Sequence, residues 1–233
     1  MRPVNKGVVP TDENGDPKVY KEYGYARRDL INRMGEYCSY CEVRLPASLA
    51  VEHVRPKSLN PNLETAWDNF LLACTNCNSI KGKKDIDLEE YVWPDRHNTS
   101  LIFKYEDNGF IKPVKNLSVE ITERAKALLD LVGLNRTTSA EGTNDYDKAS
   151  DRRFENRLSA ILHAYESVHL LEEAPDNAKK PIIQLLMKVV QSGGFWSIYM
   201  MAFKNHPEVR RNLIQALPGT REEFFNENGE PVD

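Results

Sequence analysis

The chain has 233 residues, a net formal charge of −4, 40% hydrophobic and 28% charged residues. This composition belongs to a globular chain with enough length for one large core or two small ones, and it excludes a disordered one. The longest apolar runs, FLLAC and IYMMAF, fall far short of a membrane span, and MRPVNKGVVP has no apolar signal segment, so a cytoplasmic protein with no membrane partner is expected. The net charge argues against a protein that coats nucleic acid without selectivity, although VRPKS and IKGKK are locally basic.

In chain order, residues 1–20 read as an irregular, turn-rich arm. YKEYGYARRDLINRMG reads as a helix closed by Gly35, and EYCSYCEVRL as a short hairpin turning at a cysteine pair. ASLAVEHVRP has strand character and stops at Pro56, SLNPNLET is a loop, and WDNFLLAC is a second short strand. TNCNSIKGKK opens a helix at the second cysteine pair, with Thr75 as its expected cap. SLIFKYE and GFIKPV form a hairpin around DNG. From about residue 116 the pattern turns helical: Ser118 caps a helix that Gly133 stops, TTSAEGTND is a polar linker, and four further helices follow before a turn-rich tail. The division expected is 1–115, holding the motifs below, and 116–233, a helical region without chemistry-bearing motifs.

All four cysteines fall in two C-x2-C pairs, Cys38 with Cys41 and Cys74 with Cys77. Each pair lets two thiolates grip one ion from a tight turn, and two such knuckles complete a tetrahedron of soft ligands. A site closed by four sulfurs has no open position, so it predicts a structural Zn²⁺ that stabilises a region with little core of its own. Between the pairs lies VEHVRPKS, with His53 at a strand end before a Pro-containing loop. Asn78 follows the last cysteine, and Arg55, Lys57, Lys81, Lys83 and Lys84 flank both as a phosphate-binding surface would require. WPDRHNT adds Asp95, His97 and Asn98, either further metal or phosphate contacts or turn residues entering the next strand. Arg27, Arg28 and the DRRF arginines read as solvated helix faces, and Trp93, Trp196, Phe195 and Tyr199 as core or interface.

YCSYC, VEHVRPKS and WDNFLLACTNCNSIKG together resemble the zinc-containing HNH endonucleases over residues 36–84. The resemblance implies an α+β protein whose ββα-metal (His-Me finger) core carries the structural zinc, followed by a mostly α-helical C-terminal region. It makes His53 the general base, has Asn69 brace the loop that orients it, and has Glu52 with Asn78 hold a catalytic Mg²⁺ or Mn²⁺. Glu52 stands where the family more often has Asp, and Asn78 where it often has His. The substrate implied is DNA, single- or double-stranded. VGLN, DRRFENR and LPGTREEFFNENGEPV are also similar to bacterial HNH proteins encoded beside an ATPase, the nuclease subunits of Septu-type and retron-linked anti-phage systems. That similarity implies an ATPase partner docking on the helices. The competing reading of the same residues is a non-catalytic zinc-ribbon adaptor in which His53 is merely packed.

Overall fold

The computed structural model describes residues 1–137 and 151–232. Helix α1 (Ala26–Met34) buries Ala26, Leu30 and Met34 along one stripe and ends at Gly35, whose φ of 75° only glycine adopts freely. A tight turn carries Cys38 and Cys41, closed by a Cys38 N–H donating to Val43 O at 3.0 Å. Strands β1 (Ala50–His53) and β2 (Phe70–Ala73) then pair antiparallel, with Val51 opposite Leu72 and His53 opposite Phe70. All four residues of β2 are buried, which suits its unbroken apolar run, and α1 packs against both strands. Helix α2 (Thr75–Lys81) follows directly and packs on β1. Strand, strand, helix is the order expected, and the fold is α+β: small antiparallel sheets with a helical C-terminal region.

Two local expectations are corrected. The cap of α2 is Cys74, whose sulfur accepts from the Cys77 N–H at 3.4 Å, rather than Thr75: the sulfur sits one residue earlier, where it can reach the free amides of the first turn. Ser100, Leu101 and Ile102, expected as the start of a strand, belong instead to a short helix, α3 (Thr99–Ile102), and only Phe103–Tyr105 (β3) pairs with Ile111–Pro113 (β4) around the DNG turn.

Helix α4 (Val119–Leu131) is capped by Ser118, whose Oγ accepts from Ile121 N–H at 3.2 Å. Most of the expected polar linker lies outside the described residues. Helices α5 (Arg153–Glu173), α6 (Asp176–Gly193), α7 (Trp196–Ala202) and α8 (Pro207–Ala216) follow among the described residues. No helix among the described residues is long and apolar enough to cross a membrane.

The helical part is tied into the cysteine turn by a buried carboxylate. Glu42 accepts from Arg2 N–H (2.7 Å), Tyr105 Oη–H (3.0 Å), Ser197 N–H (2.8 Å) and Ser197 Oγ–H (2.6 Å). Gly194 passes so close to the Glu42 carbonyl that a Cβ there would collide with it. The arm at the start of the chain is irregular but not loose, because Met1, Arg2, Val4 and Lys6 are all buried. Trp93, Trp196, Phe195 and Tyr199 are core residues, as expected.

Candidate active site and metal centre

The four cysteines converge. Their sulfurs all lie within 4.8 Å of one another, every one is buried, and Cys41 Sγ and Cys74 Sγ are 3.7 Å apart. A tetrahedron with Zn–S bonds of about 2.3 Å has edges of about 3.8 Å, so the cluster fits a zinc ion in both donor type and size. Arg153, read from the sequence as a solvated residue, is instead buried beside this cluster. Its Nη1 donates to Cys77 Sγ at 3.0 Å and to Val132 O at 2.9 Å, and its Nη2 to Gly133 O at 2.9 Å. The same guanidinium is ion-paired with Asp151, to which Nε donates at 2.8 Å and Nη2 at 2.7 Å, so it joins the Cys77 sulfur to a carboxylate and two helix-end carbonyls and offsets only part of the −2 charge that four thiolates around a divalent ion would leave.

The knuckles hold β1, β2 and α2 around an open cleft of about 450 Å³ whose lining includes Glu52, His53, Asn78, Lys57, Glu64 and Lys83. His53 is 9% exposed and is wedged between the rings of Tyr23 (centroids 4.9 Å) and Phe70 (5.3 Å). Its Nε2 lies 2.8 Å from the Glu64 carbonyl oxygen. A carbonyl only accepts, so Nε2 carries the proton and Nδ1 is left as the basic nitrogen. Burial holds the imidazole below its ordinary pKa; the Glu64 carbonyl opposes this, while the cations Lys57 and Lys81 add to it. A neutral histidine with a free Nδ1 at a cleft can take a proton from water near pH 7.

Asn69 braces the loop after β1. Its Oδ1 accepts from Arg55 N–H at 2.8 Å, and its Nδ2 donates to Arg55 O at 2.9 Å and to Leu63 O at 3.3 Å. Those bonds span the segment that delivers the Glu64 carbonyl to His53. Asn78 sits on α2 at the cleft, and no described residue hydrogen-bonds its side-chain amide.

Lys81 is placed differently from the sequence expectation. It is 1% exposed, its Nζ pairs with Glu52 Oε1 at 2.8 Å, and it donates to His53 O at 2.8 Å. A lysine sealed on a buried carboxylate offers nothing to a phosphate, so it leaves the surface set. Its position as the last residue of α2 turns it towards β1. Glu52 is itself 2% exposed, and burial raises its carboxyl pKa against the pull of Lys81. Lys57 lies over the Tyr23 ring at 4.2 Å and pairs with Glu64 at 2.6 Å. Lys83 and Lys84 are exposed, with no ion pair among the described residues, whereas Arg55 is half-buried and does not line the cleft.

Asp95, His97 and Asn98 do not line this cleft. Asp95 pairs with Lys6 at 3.1 Å, His97 Nδ1 accepts from Trp93 N–H at 3.0 Å, and Asn98 Nδ2 donates to Val232 O at 2.7 Å. Each is committed to holding its own turn or a neighbouring segment, which favours the turn alternative. Sequence reasoning missed Tyr23, Glu64 and Arg153. The first two reach the cleft across about thirty and about ten residues of chain respectively, and nothing in their local sequence marks them.

Residues 38–84 match the HNH endonuclease family model. The matched span begins at the first zinc-type cysteine and ends three residues after Lys81, enclosing β1, β2 and α2 entirely. The four grouped cysteines fit the zinc-containing branch of that family. No curated protein matches the chain.

Proposed function

We propose that the protein is a metal-dependent HNH endonuclease that hydrolyses DNA phosphodiester bonds. The observation that carries the reading is the juxtaposition of His53, with Nδ1 free and Nε2 pinned, and the uncommitted amide of Asn78 in one open cleft. His53 Nδ1 takes a proton from a water molecule, whose oxygen attacks phosphorus. The bond to the 3′ oxygen breaks, and that oxygen is protonated from solvent, leaving a 5′-phosphate and a 3′-hydroxyl. Asn69 acts through His53, by keeping the Glu64 carbonyl where it fixes the tautomer.

Asn78 and Glu52 would hold a Mg²⁺ or Mn²⁺ ion, which supplies charge neutralisation at the phosphate and at the departing oxygen. An amide and a carboxylate suit a hard cation in kind. The charge is lower than the motif alone implies, because Lys81 already compensates Glu52. Lys83 and Lys84, exposed beside the cleft, and Lys57, once released from Glu64, position the nucleic-acid backbone without reading its bases. Residues 1–115 form the nuclease part, and 116–233 a helical part that docks a partner ATPase in cytoplasmic anti-phage defence; the gene-neighbour resemblance of the C-terminal segments is the support for that role.

The test is cleavage of plasmid, single-stranded DNA and RNA with Mg²⁺ or Mn²⁺, alone and with the product of any adjacent ATPase gene. His53→Ala should abolish cutting while zinc content stays at the parental value and the chain stays folded by circular dichroism, with a melting temperature lowered only by the lost packing of the ring against Tyr23 and Phe70. A parent protein that binds nucleic acid yet cuts none of these substrates under any of the conditions would favour the adaptor.

A further inference from the structure

A second cavity, of about 250 Å³, lies away from the His53 cleft, between β3, α7 and the C-terminal segment. Four aromatic side chains, Phe103, Tyr105, Trp196 and Phe225, line it, with the last two packed edge to face at 5.7 Å between centroids. Such walls suit a flat apolar body. Three cations, Lys104, Lys204 and Arg210, also line it, and no acidic residue does among those described.

Two buried donors there lack acceptors. Arg210 is 8% exposed, its Nε has no hydrogen-bond partner, and its Nη1 reaches Lys204 O at only 3.5 Å. Glu230, the acid whose charge Arg210 senses, is bonded to Asn226 Nδ2 at 2.9 Å and forms no ion pair with the guanidinium. Ser100 Oγ is likewise buried without a partner. Buried donors of this kind are nearly always paired, and a guanidinium is best paired with an oxyanion.

We propose that this cavity binds a small organic anion with a flat, apolar body. The body lies among Phe103, Trp196 and Phe225, and the acidic head, a carboxylate or a phosphate, accepts from Arg210 and Ser100. Lys104 and Lys204, both exposed at the rim, draw the anion in. Tyr105 and Ser197 line the same cavity and bond Glu42, the residue after Cys41, so occupancy bears on the joint between the cysteine turn and the helices.

Titration calorimetry of the zinc-loaded chain with 2-naphthoate and, separately, 2-naphthyl phosphate distinguishes the two head groups. At least one acid should bind saturably at one site per chain. Arg210→Met, which keeps the packed stem, should weaken that binding about tenfold or more, the loss of one charge-assisted hydrogen bond. The neutral 2-naphthalenemethanol should bind the parent no better than the acid binds the variant. Should Arg210→Met lose its fold by circular dichroism, the exposed Lys204→Met carries the test, with weaker binding and a steeper salt dependence lost. The proposal is overturned if neither acid binds saturably at millimolar concentration, if the folded variant binds undiminished, or if the neutral alcohol binds as tightly as the acid.

Discussion

Lys81→Met removes a buried ammonium and keeps most of its stem. It leaves the Glu52 carboxylate, 2% exposed, without its counter-charge, and the His53 carbonyl without its donor. Removing one partner of a buried pair costs about 3–5 kcal/mol, because the remaining charge stays desolvated. For a chain of this length each kcal/mol moves the melting temperature by about 2–4 °C, so calorimetry in excess zinc should record a fall of about 6–20 °C. The deficit should shrink on acidification. Burial already raises the Glu52 carboxyl and Lys81 pulls it down, so losing Lys81 raises it further. A carboxyl raised in the folded state contributes stability that is present at low pH and lost as pH rises through its folded value. Glu52→Leu with Lys81→Met should recover more than half the loss, since neither charge is then buried. A single variant melting within about 2 °C of the parent, or a double variant no better than the single, would refute the structural role of the pair; a phosphate contact at Lys81 would instead weaken nucleic-acid binding and leave the melting temperature alone.

Three further outcomes can be measured. If His53 is the base proposed above, the rate of cleavage should rise with pH to a plateau, with its acid midpoint below 6.5, because a general base must be neutral and burial lowers the pKa of this one; a midpoint above 6.5 contradicts that assignment. Asn69→Ala strands the Arg55 amide and carbonyl, so it should cost about 1–3 kcal/mol in urea unfolding and lower kcat far more than it raises KM; parental stability and rate together would remove its bracing role. Cys74→Ser should lose zinc by metal analysis and unfold at ordinary temperature, whereas a variant with full zinc content and a parental melting curve would deny the cluster its structural part.

The amino-acid sequence by itself determined the α+β class, the order strand, strand, helix around the cysteines, and the grouping of all four sulfurs. These are legible because C-x2-C spacing, an apolar strand run and a helix stop act within a few residues of chain. Glu52, His53 and Asn78 were likewise marked by their place relative to the knuckles, and the cleft brings them together. Tertiary structure alone decided which cations are available. Lys81 and Lys83 stand two residues apart in one basic run, yet one is sealed on Glu52 and the other lines the cleft, since Lys81 is the last residue of α2, packed on β1, and Gly82, with a φ of 61°, turns the chain out of the helix before Lys83. It also decided that Arg153 is shared between Asp151 and Cys77 and that Glu42 locks the cysteine turn to α7 across 155 residues of chain. Pairings of that kind follow from which surfaces meet once the core has formed, and a buried charge finds its partner in space without leaving any trace in local spacing.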